Sequence, residues 1–190
     1  LLIAASQGFY PHLAQRWFRK RMVEFRLDSP GPIGACHHQK VVIIDDAIAF
    51  CGGGDISTDR WDSSEHLDGD PRRCQPSGLI SDPRHEIMCV MDGAAALALG
   101  DLARERWFRA TWERTVPDTV SDDPWPDGVE PDLIDTPVAI ARTEPKWRGR
   151  GEVRENETLY LEMIRKARRL IYMENQYFTS PVIAAALAER

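Results

Sequence analysis

The chain has 190 residues with 24 Lys or Arg, 30 Asp or Glu and a formal net charge of −6, which counts against a nucleic-acid-binding domain with a dense basic face. Its 43% hydrophobic and 28% charged residues are ordinary for a globular protein and exclude a disordered chain, a collagen-like chain and a disulfide miniprotein. The length fits about one domain, or one and a half.

The predicted elements begin with an amphipathic helix at residues 11–22, where aromatic and cationic side chains alternate with the helical period. Residues 23–27 alternate apolar and charged side chains and predict a strand. A loop rich in Pro and Gly follows at residues 28–34. The apolar runs 41–44 and 47–50, with two aspartates between them, predict an antiparallel hairpin with a tight turn.

The rest of the chain alternates predicted strands and helices, which favours an α/β layered fold. The predicted elements are, in order, a polar surface loop at 57–81, a strand at 86–91, an amphipathic helix at 94–115, an acidic linker with four prolines at 116–131, a strand at 137–141, a helix at 155–169, a strand at 170–174 and a helix that starts at residue 181.

Two classes of segment are absent from the sequence. The longest uncharged apolar stretches, residues 41–44 and 47–51, are far shorter than the ~20 residues that cross a bilayer. The chain begins with Leu1 and shows no signal peptide, so we expect an internal piece of a longer protein, soluble or peripheral to a membrane. No signal in the sequence assigns a compartment.

The four cysteines form no Cys-x-x-Cys pair, which argues against a metal site.

The most informative segment, residues 36–55, reads CHHQKVVIIDDAIAFCGGGD. It holds the spacing His-x-Lys-x4-Asp-x6-Gly-Gly at His38, Lys40, Asp45, Gly52 and Gly53. At average residue usage this spacing arises by chance in roughly one chain in ten thousand of this length. The segment is therefore the first candidate for chemistry.

Strand geometry suggests how the motif works. His38 and Lys40 are two residues apart, so their side chains project from the same face of an extended segment. An imidazole that attacks phosphorus or moves a proton, beside a cation that neutralises oxygen charge, suits a phosphate ligand. Asp45 falls on the opposite face, where it orders the turn or holds a neighbouring side chain. The glycines permit close backbone approach and positive φ, which exposes amide donors to an anion.

At these residues the sequence resembles the phospholipase D superfamily, whose signature is this His-Lys-Asp motif. The resemblance continues through residues 52–66 (GGGDISTDRWDSSEH), around Glu86 into residues 104–107 (RERW), and at residues 171–180 (IYMENQYFTS). It covers about residues 17–190 in all. It implies a two-repeat α/β/α sandwich with a mixed sheet, with the active site between the repeats.

The same resemblance implies that the chain is truncated. Residues 1–131 correspond to most of the first repeat plus the acidic linker, and residues 132–190 to the beginning of the second. The family pairs two motifs on one phosphate, whereas His-x-Lys occurs once here. We expect a missing C-terminal repeat of the same protein to supply the second His and Lys, so the isolated chain is inactive. The alternative is a one-motif relative that dimerises.

By resemblance, His38 is the nucleophile that forms a phosphohistidine intermediate, and Lys40 binds the phosphoryl oxygens, with no metal or cofactor. Asp55 either hydrogen-bonds in the site or stabilises the turn after the glycines. Glu174, Asn175 and Gln176 either line the cleft floor or cap a strand end. The implied partner is a phospholipid at a membrane surface, with no nucleic acid. Hydrolysis or transfer of a phospholipid head group is preferred, ahead of a cardiolipin synthase-like phosphatidyltransferase or a nuclease of the same superfamily.

Overall fold

A computed structural model describes residues 11–19, 21–28, 31–117 and 125–190. The chain divides into two compact units. The first comprises residues 1–29 and 37–135, and the second comprises residues 30–36 and 136–190. The motif from His38 to Gly53 lies entirely in the first unit.

The first unit is built on a three-stranded antiparallel sheet in the order β1-β2-β3. One helix precedes the sheet and a second follows its last strand directly. The bounds are α1 Pro11–Phe18, β1 Lys40–Ile44, β2 Ile48–Gly52, β3 Met88–Asp92 and α2 Gly93–Thr111.

The β1–β2 hairpin turns through Asp45 and Asp46, which both have positive φ values, 53° and 55°. Aspartate tolerates this left-handed region better than most side chains, because its short polar group bonds locally. The amide of Ala47 closes the turn by donating to the carbonyl of Ile44 at 3.0 Å. The register pairs Lys40 with Gly52, so the candidate lysine and the glycine run lie side by side.

Helix α2 packs on β2 through small and branched side chains. Ile48 and Ala49 of β2 and Ala96 and Leu99 of α2 are buried. Gly100 is required at the same contact, because a Cβ there would lie 1.9 Å from Oδ1 of Asp46. The hairpin turn therefore rests against the helix.

The polar loop at residues 57–81 is ordered around one arginine. The side chain of Arg73 is fully buried and forms an ion pair with Asp62 at 2.9 Å. Its guanidinium also donates to the carbonyls of Ser81 at 2.9 Å and Leu67 at 2.5 Å. The loop contains two short 3-10 turns, Thr58–Arg60 and Pro71–Arg73, and the second of them carries Arg73. The loop thus has a polar interior of its own.

The second unit pairs two helices beside a small antiparallel ribbon. Its elements are β4 Thr143–Glu144, β5 Val153–Arg154, α3 Glu155–Lys166 and α4 Pro181–Ala188. Arg142 joins the ribbon to α3, because its backbone and guanidinium nitrogens donate to Glu155 at 2.8–2.9 Å. Ile164 and Ile183, one from each helix, are buried.

The structure confirms several predicted elements. The hairpin, the strand before α2, the amphipathic helix itself and the helices at α3 and α4 are all present, with ends that differ by a few residues. The N-terminal helix is also present, but it ends at Phe18. The predicted linker falls partly on residues 118–124, which lie outside the described residues.

Three predicted strands are wrong: residues 23–27, 137–141 and 170–174 contain neither helix nor strand. A strand needs a neighbour to satisfy its backbone groups, and none of the three segments pairs with another described segment in a ladder. The local residue pattern therefore overestimated the number of strands.

The mixture of helices and strands is consistent with an α/β protein. All strand pairs within the described ranges are antiparallel. The mixed sheet of an α/β/α sandwich stays a prediction. Over the same ranges, no helix combines the length and the apolar character that spanning a membrane requires.

Candidate active site

The candidate site lies where β1 begins. His38 is exposed two residues before the strand, and Lys40 is its first residue. The Lys40 ammonium donates to the backbone carbonyl of His38 at 3.2 Å. The imidazole of His38 makes no hydrogen bond or ion pair with any described residue, so this side chain is accessible to a ligand.

Asp55 connects the lysine to a second cation. Its Oδ1 lies 3.2 Å from Nζ of Lys40, and its Oδ2 lies 3.8 Å from Nη2 of Arg60. The Lys40 side chain is largely buried, whereas that of Asp55 is half exposed. One carboxylate therefore bridges two cations at the surface beside His38.

The glycines serve close packing. A Cβ on Gly52 would lie 2.5 Å from the carbonyl oxygen of Ile87 and 2.6 Å from Cα of Met88, so only glycine fits beside β3. Neither Gly52 nor Gly53 has the positive φ that we expected. The amide of Gly53 donates to the carbonyl of Ile87 at 3.2 Å, which ties the glycine run to the residue before β3.

The two neighbouring histidines differ in environment. His37 lies 3.1 Å from Oδ2 of Asp28 through its Nε2 atom. The same oxygen accepts from Nε of Arg106 at 2.9 Å, and this arginine also donates to Gln39 at 3.0 Å. His37 thus contacts Asp28 in the segment that follows α1, and Arg106 of α2 contacts the same carboxylate.

The two turn aspartates also differ. Asp45 is exposed, its side chain has no partner among the described residues, and it lies at the opposite end of β1 from Lys40, about 16 Å along the strand. Asp46 forms the contact with α2, because Arg104 donates to both of its carboxylate oxygens at 2.5 Å. Of the two roles expected for Asp45, its place in the hairpin turn is consistent with ordering the turn, whereas Asp46 is the aspartate that holds a neighbouring side chain.

The remaining candidates lie in the second unit, in a segment without helix or strand. The hydroxyl of Tyr172 donates to Glu174, and this contact raises the pKa of the tyrosine. Asn175 accepts from the amide of Tyr177 at 3.0 Å, which forms a local turn. Gln176 is exposed. The ligand-binding role of these residues stays a prediction.

The loop after the glycines contains an aspartate whose pKa is strongly lowered. The pKa of Asp62 lies well below its usual range, first because of its hydrogen bond with His66, and further because of hydrogen bonds from Arg84, Arg73 and Ser63. The backbone amide of Arg84 donates to the carboxylate at 3.0 Å. In its ionised form, Asp62 therefore binds Arg73 within the loop and the backbone of Arg84 just after it.

Two side chains near the motif were not singled out from the sequence. Arg60 returns to Asp55 only because a 3-10 turn intervenes, and the charge pattern of residues 55–60 carries no periodic signal for this contact. Glu86 is the second: its Oε2 lies 3.5 Å from the place of a Cβ on Gly53. In the described part of the chain, no three His, Cys, Asp or Glu side chains converge as metal ligands.

Comparison with known proteins finds relatives that are each named a phospholipase D. The chain is 30% identical to phospholipase D A of Dictyostelium discoideum over 178 residues, which cover 78% of this chain and 14% of that protein. It is 26% identical to phospholipase D alpha 3 of Arabidopsis thaliana over 193 residues, covering 75% of this chain and 24% of that protein. A stretch of 30 residues is 57% identical to human phospholipase D1.

No family model matches the chain. The chain spans about a seventh of the length of the Dictyostelium relative and about a quarter of the length of the Arabidopsis relative. The similarity nevertheless extends over three quarters of this sequence, in proteins from an amoeba and a plant. These similarities support a phospholipase D-like family for the chain.

Proposed function

We propose that the chain carries one half of a phospholipase D-type active site, which hydrolyses or transfers the head group of a glycerophospholipid. The observation that supports this most directly is the grouping at the start of β1. An accessible imidazole at His38 lies two residues from a cation, Lys40, which shares a carboxylate with Arg60. This is a donor set for a phosphodiester anion.

In the proposed first step, a ring nitrogen of His38 attacks phosphorus. A phosphorus–nitrogen bond forms, the bond to the head-group oxygen breaks, and the departing alcohol takes a proton from a second histidine. In the next step, water or an acceptor alcohol attacks phosphorus, gives its proton to that second histidine and releases His38. No metal or cofactor enters this scheme.

Lys40 and Arg60 hold the non-bridging oxygens of the phosphate in this scheme. Both cations already contact the two oxygens of one carboxylate, Asp55, and two phosphoryl oxygens present a similar pair of acceptors. Negative charge grows on these oxygens as the nucleophile adds, so fixed cations stabilise the transition state more than the substrate. Asp55 keeps the two cations together.

The second histidine and lysine lie outside the single motif of this sequence. We propose that another repeat of the same protein supplies them, in a two-repeat sandwich whose first repeat is residues 1–131 and whose second begins at residue 132. The 190 residues alone are then inactive. Glu174, Asn175 and Gln176 would line the cleft from the second repeat.

Two alternatives share the same chemistry at phosphorus. A phosphatidyltransferase of the cardiolipin synthase kind would use a lipid alcohol as acceptor. A nuclease of the superfamily would cleave nucleic acid, but the net charge of −6 disfavours a polyanionic substrate. Incubating the full-length protein with phosphatidylcholine, phosphatidylglycerol or DNA separates the three by product: free choline, cardiolipin or shortened strands.

The test of the motif uses neighbouring histidines in the full-length protein. His38→Asn should lower choline release from phosphatidylcholine at least about a thousandfold, because it removes the nucleophile. His37→Asn is the matched control: His37 contacts Asp28, and the activity of this variant should stay within about tenfold of the parent. Equal activity of His38→Asn and the parent, with both proteins folded, would contradict the proposal.

A further inference from the structure

An exposed basic and aromatic surface lies on α1 and the turn after it. We call it the α1 surface, and it consists of Leu13, Arg16, Trp17, Arg19 and Arg21. Leu13 and Trp17 are four residues apart on one side of the helix and are 51% and 52% exposed. All three arginines are exposed.

On its other side, the helix contacts the segment that follows it. Phe18 is half-buried and stacks on Phe25 with ring centroids 5.3 Å apart. The apolar side of the helix is therefore divided: Phe18 packs inward, while Leu13 and Trp17 face solvent. Exposed tryptophan and leucine beside cations are typical of helices that lie in a membrane interface.

The charge of this region opposes that of the chain. Residues 11–26 contain five Lys or Arg and one Glu, in a protein whose net charge is −6. The side chains of Arg16 and Arg19 form no ion pair with a described residue. Arg21 lies over the Trp17 ring, 3.6 Å from its centroid, and donates to the Trp17 carbonyl at 3.2 Å. The cations are thus available to an anionic partner next to an apolar contact.

We propose that the α1 surface docks the first unit on an anionic phospholipid bilayer. Trp17 and Leu13 enter the interface between head groups and acyl chains, while the arginines contact lipid phosphates and carboxylates. Without such a basic region, an acidic protein would be repelled by the same membrane. A bilayer fits better than a nucleic acid, because half-exposed leucine and tryptophan side chains gain from a surface with an apolar interior.

The α1 surface is connected to the candidate site within the same unit. Asp28, in the segment that follows α1, accepts from Arg106 of α2 and contacts His37, the neighbour of His38. The docking proposal rests on the proposed function in one respect: docking would bring a lipid-cleaving site to its substrate. Vesicle binding itself needs no turnover, so the two are measured separately.

The experiment compares charge reversals in the full-length protein. Sedimentation with vesicles of phosphatidylcholine and about one-third phosphatidylserine measures binding, with pure phosphatidylcholine vesicles as reference. R16E/R19E should lower the partition coefficient at least about 30-fold, since each cation near an anionic surface contributes about fivefold. The control R168E/R169E changes two exposed arginines of the second unit and should stay within about threefold of the parent.

A second variant tests the apolar contact, and a soluble substrate isolates docking from chemistry. Trp17→Ala should weaken vesicle binding while the thermal unfolding midpoint stays near that of the parent, because the side chain is half exposed. R16E/R19E should lose hydrolysis of vesicle lipid but keep hydrolysis of a short-chain phospholipid below its micelle concentration. Vesicle binding without turnover by the parent would contradict the proposed function and leave docking supported.

Three results would overturn the docking proposal. The first is vesicle binding by R16E/R19E that equals the parent. The second is an equal loss in R168E/R169E, which would show a general charge effect. The third is a parent protein that ignores anionic vesicles but binds duplex DNA through these arginines.

Discussion

The carboxylate of Asp55 gives Lys40 and Arg60 a shared partner, although the β1–β2 hairpin lies between these two cations in the sequence. Both contacts are ion pairs, at 3.2 and 3.8 Å. At this scale, the candidate site is a lysine and an arginine that share Asp55, next to the exposed His38, and Arg60 also pairs with Asp59 at 2.5 Å. A substitution that removes one cation should therefore affect phosphate binding more than folding.

Arg60→Ala tests this at a single side chain. We expect kcat/KM for phospholipid hydrolysis by the full-length protein to fall about 10- to 100-fold, because one charge-assisted contact with the phosphate is lost. Steady-state assays provide the measurement. Arg84→Ala is the control, since this arginine is exposed and reaches Asp59 only at 4.0 Å. Similar losses in both variants would remove Arg60 from the site.

Strand β2 ends against β3 at a contact that tolerates no side chain. Gly52→Ala should lower the free energy of unfolding by about 1–3 kcal/mol, because its Cβ would meet backbone atoms of Ile87 and Met88 at 2.5 and 2.6 Å. Gly53→Ala is a matched neighbour whose Cβ would meet only the Glu86 carboxylate at 3.5 Å. Urea unfolding measures the free energy of unfolding of both variants. Equal losses would contradict the close contact between Gly52 and β3.

The loop at residues 57–81 should respond to acid. The pKa of Asp62 is lowered in the folded protein, so its carboxylate contributes stability above the unfolded pKa, and this contribution is lost as pH falls below about 4. Asp62→Asn should therefore flatten the fall in urea midpoint between about pH 5 and pH 3.

Asp68→Asn is the control for this loop, because it makes the same change at an exposed aspartate without a side-chain partner among the described residues. It should leave the acid dependence of the urea midpoint unaltered. A pH profile of Asp62→Asn that matches the parent would contradict the role of this carboxylate.

Local chemistry made some elements predictable. Two aspartates between β-branched runs indicate a hairpin turn, and the structure has one there. The period of apolar residues likewise indicated α2. The strand predicted at residues 170–174 failed because strand formation depends on a partner that the segment's own sequence does not encode.

Contacts between distant residues were not predictable in the same way. The spacing of His38 and Lys40 indicated a phosphate site, but nothing in residues 55–60 indicates that Arg60 turns back to Asp55. Asp45 and Asp46 have the same side chain, and only the packing of α2 decides which one meets Arg104. Such choices depend on tertiary structure.

For the whole molecule, we propose that the first unit brings a nucleophilic histidine to a phosphodiester, and that the remaining half of the site comes from another repeat. The known relatives are several times longer than this chain, in keeping with that division. The most direct evidence would be the covalent intermediate itself, since its position identifies the nucleophile without relying on rates.

That measurement is a single-turnover reaction of the full-length protein with phosphatidylcholine, quenched in alkaline denaturant and analysed by peptide mass spectrometry. Alkaline conditions are used because phosphorus–nitrogen bonds hydrolyse in acid. We predict a phosphatidyl group on His38 and none on His37. An adduct on another residue, or turnover with no histidine adduct, would contradict this prediction.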